Sequence, residues 1–254
     1  MLFPRHAICV LGTWTTWTPM ERVVRDVGGD FELQPTYSRL EADPKMLRTF
    51  ELAADRVKPT LRREDREAIT RHTAVAYVLS PPVPAEEALE VSARVLALVA
   101  ALLDAGALAV KGESAGLAHG ARRWRELAAN AVRARQRGQT VELAQALAHA
   151  WVRRPERADG LLYSCGLHLL GVRDVELDEG RNLAEDLTWI DLVALYQLAE
   201  RRARLREGEP FLLPSGAARL LRLTPCERFG KADLAYNPYG YWRLERPEAD
   251  APRR

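Results

Sequence analysis

The chain has 254 residues, 47% hydrophobic and 28% charged, with a formal net charge of +2. Those figures fit one large globular domain or two small ones with a sizeable core, and they exclude a general attraction to nucleic acid or to an anionic membrane. Cys9, Cys165 and Cys226 are odd in number and far apart, which argues against a disulfide framework and for a reducing cytoplasm. The longest unbroken apolar run, Val95 to Leu103, is far below the roughly 20 residues that span a bilayer. The apolar run after Arg5 and His6 is too short for a signal peptide.

His6 to Leu11 reads as a first strand. Thr18-Pro19-Met20-Glu21 predicts a helix opened by a capping box, Thr18 accepting from the Glu21 amide, and Gly28-Gly29 predicts its end. Residues 31–40 read as a strand that Pro35 confines to an edge or a bulge. A helix is predicted from Asp43-Pro44 to about Arg56, and a short charged one over residues 62–72. Thr73 to Leu79 is a valine-rich strand, ended by Ser80-Pro81-Pro82-Val83-Pro84. The helix of residues 84–105, with Glu86 and Glu87 in its first turn, is apolar around most of its girth and should be buried. Gly106 stops it, and residues 107–111 form the next strand. The simplest arrangement sets that strand parallel to and beside the strand at 73–79, with a right-handed crossover.

Ala121 to Gly138 is amphipathic. Arg122, Arg125, Arg133 and Arg137 form one stripe, read as a solvated face, while Trp124, Leu127, Ala128 and Ala131 point inward. A helix over 140–152 and strands over 160–165 and 172–177 follow. Asn182-x-x-Glu185 then caps a helix that closes on Arg201, Arg202 and Arg204. Two short segments come last, 217–223 and 234–244, the second around the turn Asn237-Pro238-Tyr239-Gly240. The expected fold is α+β: a single domain over residues 1–245 with a mixed sheet, strand-helix-strand units and several packing helices, then a disordered tail over 246–254.

One catalytic pattern stands out. Gly112-Glu113-Ser114-Ala115-Gly116 matches the G-x-S-x-G of a serine-hydrolase nucleophile elbow. The elbow needs a strand before the serine and a helix directly after it. Gly116 and Gly120 make an uninterrupted helix costly there, at about 1 kcal/mol each relative to alanine. The acids between Ser114 and the later histidines, His119, His149 and His168, stand at no recognisable strand end. The preferred reading is that Gly112 and Gly116 bend the chain as it leaves the sheet; a hydrolase using Ser114 with His119 is the alternative. Cys165-x-x-His168 is half of a zinc-type pair, and a structural zinc site needs four ligands, so neither a metal nor another cofactor is expected.

Two candidate binding groups remain. Glu113, His119, Arg122 and Arg123 follow a central strand and are candidates to line a small polar cleft at its end, as in a small-ligand or nucleotide-binding module. Tyr236, Tyr239, Tyr241 and Trp242 cluster near the C-terminus, and such rings combine apolar area with a polar tip that suits an interface.

The block HTAVAYVLSP, a long helix, and GALAVKGESAGLAHGARRWREL resemble the uncharacterised bacterial family domain of unknown function 4261, as does the later GLLYSCGLHLLGVRDVEL with its following helix. The resemblance covers about residues 70–200 and rests on Gly106-Ala107, Gly166-Leu167, Gly171 and Asp174-Val175-Glu176-Leu177. It implies a strand-helix-strand core and supplies no catalytic residues. Similar α+β proteins recur beside bacterial toxin genes, which implies an immunity role. The expectation from sequence is therefore a cytoplasmic protein that binds a protein partner, for example by neutralising a bacterial toxin, rather than an enzyme, with no nucleic acid or membrane as partner.

Overall fold

A computed structural model describes residues 3–200 and 205–247. Five strands, β1 (Ala7–Gly12), β2 (Glu32–Leu33), β3 (Ala74–Leu79), β4 (Ala109–Gly112) and β5 (Leu117–His119), form a first sheet in the order β2-β3-β1-β4-β5. All its pairings are antiparallel. The strands expected at 73–79 and 107–111 are both here and run parallel to each other. They are not adjacent, however: Cys9 of β1 sits opposite Tyr77 on one side and Lys111 on the other. The reason lies in β1 itself, where Ile8 to Leu11 are at most 1% exposed. An apolar run of that kind needs both faces covered and both edges paired, so it takes the centre. The 31–40 segment shrinks to the two-residue edge strand β2 and one isolated bridge from Arg39 to Val75.

Helices cover both faces of this sheet. On one face Lys111 lies 5.9 Å from the ring centre of Phe50 in α2 (Met46–Ala53). On the other, Gly112 faces Trp151, and a Cβ added there would meet the indole at 3.2 Å. The first helix, α1 (Thr18–Val23), lacks the predicted capping box. Trp17 is its N-cap and Thr18 is already helical, the Glu21 amide bonding to the Trp17 carbonyl at 2.8 Å. The helix widens into a π turn over Val24–Gly28 before Gly29 turns left-handed at φ 69°. After the short α3 (Arg63–Thr70), the long apolar α4 (Ala88–Asp104) begins beyond Glu86, with Glu87 as its N-cap.

The second half carries β6 (Arg153–Ala158), β7 (Leu161–Cys165), β8 (Asp174–Asp178), β9 (Pro210–Leu212), β10 (Ala218–Thr224) and β11 (Tyr241–Glu245). They form a mixed sheet in the order β6-β7-β8-β11-β10-β9, with β8 and β11 parallel. Between the sheets α5 (Ala121–Gln136), α6 (Thr140–Trp151) and α7 (Leu183–Ala199) continue from α4, each packed on the next. One apolar core runs from Ile8 through to Leu244. The fold is thus α+β, with its strands divided between two sheets. The side chain of Asn182 caps α7 as predicted, accepting from the Ala184 amide at 3.2 Å. The arginines expected at the end of α7, and the tail from residue 248 on, lie outside the described residues. No described helix is long and apolar enough to cross a membrane.

The C-terminal aromatics require a correction. The segment expected over 234–244 begins as strand only after the Asn237–Gly240 turn, and β11 lies between β8 and β10. Tyr241 and Trp242 are therefore core residues, 1% and 4% exposed. Tyr241 lies under the guanidinium of Arg228 at 5.0 Å, and the Trp242 indole donates to Gln197 of α7 at 3.1 Å. Tyr236 and Tyr239 remain half-buried on the 225–240 connection.

The core also holds histidines. Burial lowers the pKa of His6 to about 3 and those of His119 and His168 to about 4. His6 Nε2 meets Ser92 Oγ at 2.8 Å, and that hydroxyl donates to the Leu169 carbonyl at 2.8 Å. The single hydroxyl proton is thereby used, so the imidazole of His6 carries its proton on Nε2. Such groups bind protons more weakly folded than unfolded. Their stabilising contribution is complete above pH 6.5 and is lost as pH falls toward 4, by about 2 kcal/mol each between pH 7 and 5. Burial acts in the opposite sense on Asp174, whose pKa is raised to about 6. Its folded form gains stability as pH falls, by about 1 kcal/mol over the same interval.

Two outcomes follow. Leu96 and Ile190 are fully buried, and alanine at either should cost about 2–5 kcal/mol in urea unfolding; losses under 1 kcal/mol would refute the packing. The urea midpoint should fall between pH 7 and 5, and His168→Gln, which keeps a donor for the Leu234 carbonyl, should flatten that fall. An unchanged slope would contradict the neutral state of His168.

Candidate functional site

Ser114 sits in the turn that joins β4 directly to β5. A strand, not a helix, follows it, so the elbow geometry is absent. Its hydroxyl donates to the Arg5 carbonyl at 2.6 Å and accepts from the Ala7 amide at 2.9 Å, fastening the chain ahead of β1 to the hairpin. Gly116, with φ 62°, supplies the left-handed residue of the turn. Ser114→Ala should therefore lower stability by about 1–3 kcal/mol. A fluorophosphonate probe should leave the wild-type protein unlabelled; stoichiometric labelling lost in the variant would restore the hydrolase reading.

Of the four residues expected to share one cleft, Glu113 and Arg122 stand apart, and His119 and Arg123 come together. Glu113 stays in the turn and pairs with Lys111 at 3.0 Å. His119 stands opposite Val110, at the other end of the hairpin. Arg122 is exposed on the first turn of α5 and pairs with Glu126 at 2.8 Å. Cys165 is buried, its thiol pushed up to about 12 chiefly by burial, while His168 bonds to the Leu234 carbonyl. No group of three or more ligating side chains gathers among the described residues.

What His119 does reach is a basic cleft of about 400 Å³. Four stretches of chain build it: the connection after α2, the start of α5, the end of α6 running into β6, and the first turns of α7. Five cations line it, Arg56, Lys58, Arg123, Arg154 and Arg157, against the single acid Asp55. Both cis peptide bonds among the described residues, Lys58–Pro59 and Arg154–Pro155, lie here. All four arginines already hold a carboxylate. Arg56 lies 3.4 Å from Asp55 and 3.6 Å from Glu156, Arg123 lies 3.5 Å from Glu126, Arg157 bonds Glu179 at 2.9 Å, and Arg154 pairs with Asp191. Three groups keep unsatisfied polar positions. Lys58 has no ion-pair partner among the described residues. The Nε of Arg123 is buried without an acceptor, and so are both ring nitrogens of His119.

His119 is 4% exposed, its ring edge-on to Trp124 at 4.6 Å. Its pKa is lowered first by burial and next by the charge of Arg123, with the backbone of Ala150 and His149 opposing the fall from beyond bonding geometry. His149, on the same cleft, is lowered by burial and then by Arg154 and Arg123. Two neutral imidazoles in the field of several guanidinium groups mark a site of positive potential. The chemistry on offer is recognition of an anion by charge-assisted hydrogen bonds.

The sequence reading picked His119 and Arg123 but none of the other four cations of the cleft. The available signal was a pair of basic, proline-bearing runs, Arg56-Val57-Lys58-Pro59 and Arg153-Arg154-Pro155-Glu156-Arg157. Comparison with family models, characterised proteins and solved structures finds nothing that matches this chain.

Proposed function

We propose that the chain is a binding protein for a small anion, with the cleft beside β6 as its site. One observation carries this reading: five cations face a cleft in which the buried His119 keeps two unpartnered ring nitrogens. A buried donor or acceptor without a partner costs about 1–3 kcal/mol, and an anion bridged to Lys58 and Arg123 accepts from the Arg123 Nε and from the one ring N–H of the neutral His119. The volume is in the range of small-molecule sites.

A ligand that binds only the folded state stabilises it by about 2.7 kcal/mol at a hundred times its dissociation constant, enough to move the melting temperature by several degrees. Inorganic phosphate, pyrophosphate and citrate are the probes. At least one should raise the melting temperature of the wild type. Lys58→Ala and Arg123→Ala should remove the shift, and Arg222→Ala, exposed on β10 and paired with Glu245, should not. No shift with any probe, or an equal shift in the cleft variants, would sink the proposal.

A second reading is the protein partner, a toxin in the immunity case. It is supported by the resemblance over residues 70–200 and by one structural observation: Leu234, 48% exposed, lies on the same connection as the half-buried Tyr236 and Tyr239. Tyr239→Ala should then weaken capture of a toxin encoded by a neighbouring gene while leaving the melting temperature within a degree or two. Undiminished capture would remove Tyr239 from the contact.

A further inference from the structure

The basic cleft does not end at Arg123. Arg123 and His149 also line a second groove of about 380 Å³ between α5 and α6. That groove carries Arg133 and Arg137 against one acid, Glu142. Arg137 has no ion-pair partner among the described residues, and Arg133 has only the side-chain oxygen of Asn130 at 3.5 Å. A row of cations thus leads from Lys58 past Arg123 to Arg133 and Arg137. About 15 Å of helix separates Arg123 from Arg133. A lone phosphate cannot join two such sites, whereas a chain of phosphates can when both guanidinium groups reach toward it.

The first cleft has a different second feature. Val57, Val152, Pro155, Leu183 and Leu187 line it together with the cations. Leu183 is 41% exposed there, an apolar side chain left uncovered beside five charges. A fully hydrated inorganic anion gains nothing from that wall; an organic group attached to a phosphate covers it.

We infer that the ligand is an organic polyphosphate of the nucleoside triphosphate type, its organic end against the apolar wall of the cleft and its phosphate chain running past Arg123 and His149 into the α5–α6 groove. This rests on the anion-binding reading above and adds to it the class of ligand and a second set of residues. No phenylalanine, tyrosine or tryptophan lines either groove, so the ring is held by aliphatic contact and at most an imidazole, and discrimination among bases is expected to be weak.

The test is calorimetric titration of the whole protein with AMP, ATP, GTP, tripolyphosphate and a twelve-residue oligothymidylate. ATP should bind at least tenfold more tightly than both AMP and tripolyphosphate, and GTP within a few fold of ATP. Arg133→Ala combined with Arg137→Ala should weaken ATP at least tenfold and AMP less than twofold; both side chains are exposed, one on the last turn of α5 and the other at its C-cap, so the fold is retained. Leu183→Ser should weaken ATP and AMP and leave tripolyphosphate unchanged. Equal binding of AMP and ATP, or a double variant that binds ATP normally, overturns the path of the phosphate chain. Tripolyphosphate as tight as ATP overturns the organic end, and an oligothymidylate tighter than ATP replaces the small ligand with a nucleic acid. If the nucleotides fail while inorganic phosphate or pyrophosphate still stabilises the protein, this inference falls alone; if no anion binds at all, both fall.

Discussion

The structure depends on a ladder of four stacked or edge-on rings: His119, Trp124, Trp151 and His6, with the two indoles 5.2 Å apart at its centre. Trp124 on α5 hangs from the first sheet through a 2.9 Å bond from its indole to the Val110 carbonyl. Trp151 ends α6 and bonds the Ser92 carbonyl of α4. Ser92 in turn ties His6, just ahead of β1, to Leu169 on the way to β8. Both sheets and three helices therefore meet at one set of rings. Fully buried indoles contribute more apolar area per residue than any other side chain, and their N–H groups fix the direction of approach. The fit is close enough that Gly166, at φ 125°, has no alternative: a Cβ there would stand 2.1 Å from the Trp151 carbonyl.

That ladder fixes the site, because its first rung is also a wall of the cleft. His119 is held by Trp124 on one side and by its place in β5 on the other, so its ring has little freedom to turn away. Leucine or phenylalanine in the same place would pack against Trp124 without burying two polar nitrogens. The retained imidazole, depressed to a pKa of about 4 by burial and the neighbouring Arg123, is neutral at ordinary pH. It can offer one donor and one acceptor where the arginines offer only donors.

The elements were legible in the sequence to the extent that their pattern was local. Thr73–Leu79 and the helix over Ala88–Asp104 declare themselves by apolar density, and Asn182 by its capping geometry. Strand order was not legible, because the centrality of β1 is decided by pairing with residues some 70 and 100 positions away. β6 escaped because Arg153-Arg154-Pro155-Glu156-Arg157-Ala158 has no alternation and a proline. It is an edge strand with a register shift, where such residues are tolerated. Tyr241 and Trp242 misled for the converse reason: a short aromatic run after a turn reads the same whether it ends exposed or becomes a central strand.

Composition hid the site in a similar way. A net charge of +2 over 254 residues describes how the protein acts on a distant charge. Binding is settled within the Debye length, about 8 Å at physiological ionic strength; the cleft wall itself carries five cations and one acid, with Glu126, Glu156, Glu179 and Asp191 paired to its arginines from outside the lining. The imbalance is assembled from segments some 30 to 100 residues apart, each unremarkable alone, by the same packing of α5 and α6 that stacks Trp124 on Trp151. Fold stability and local potential are in this way two consequences of one contact: loosening the indole stack would move Arg123 on α5 and Arg154 after α6 apart and spread the field that an anion requires.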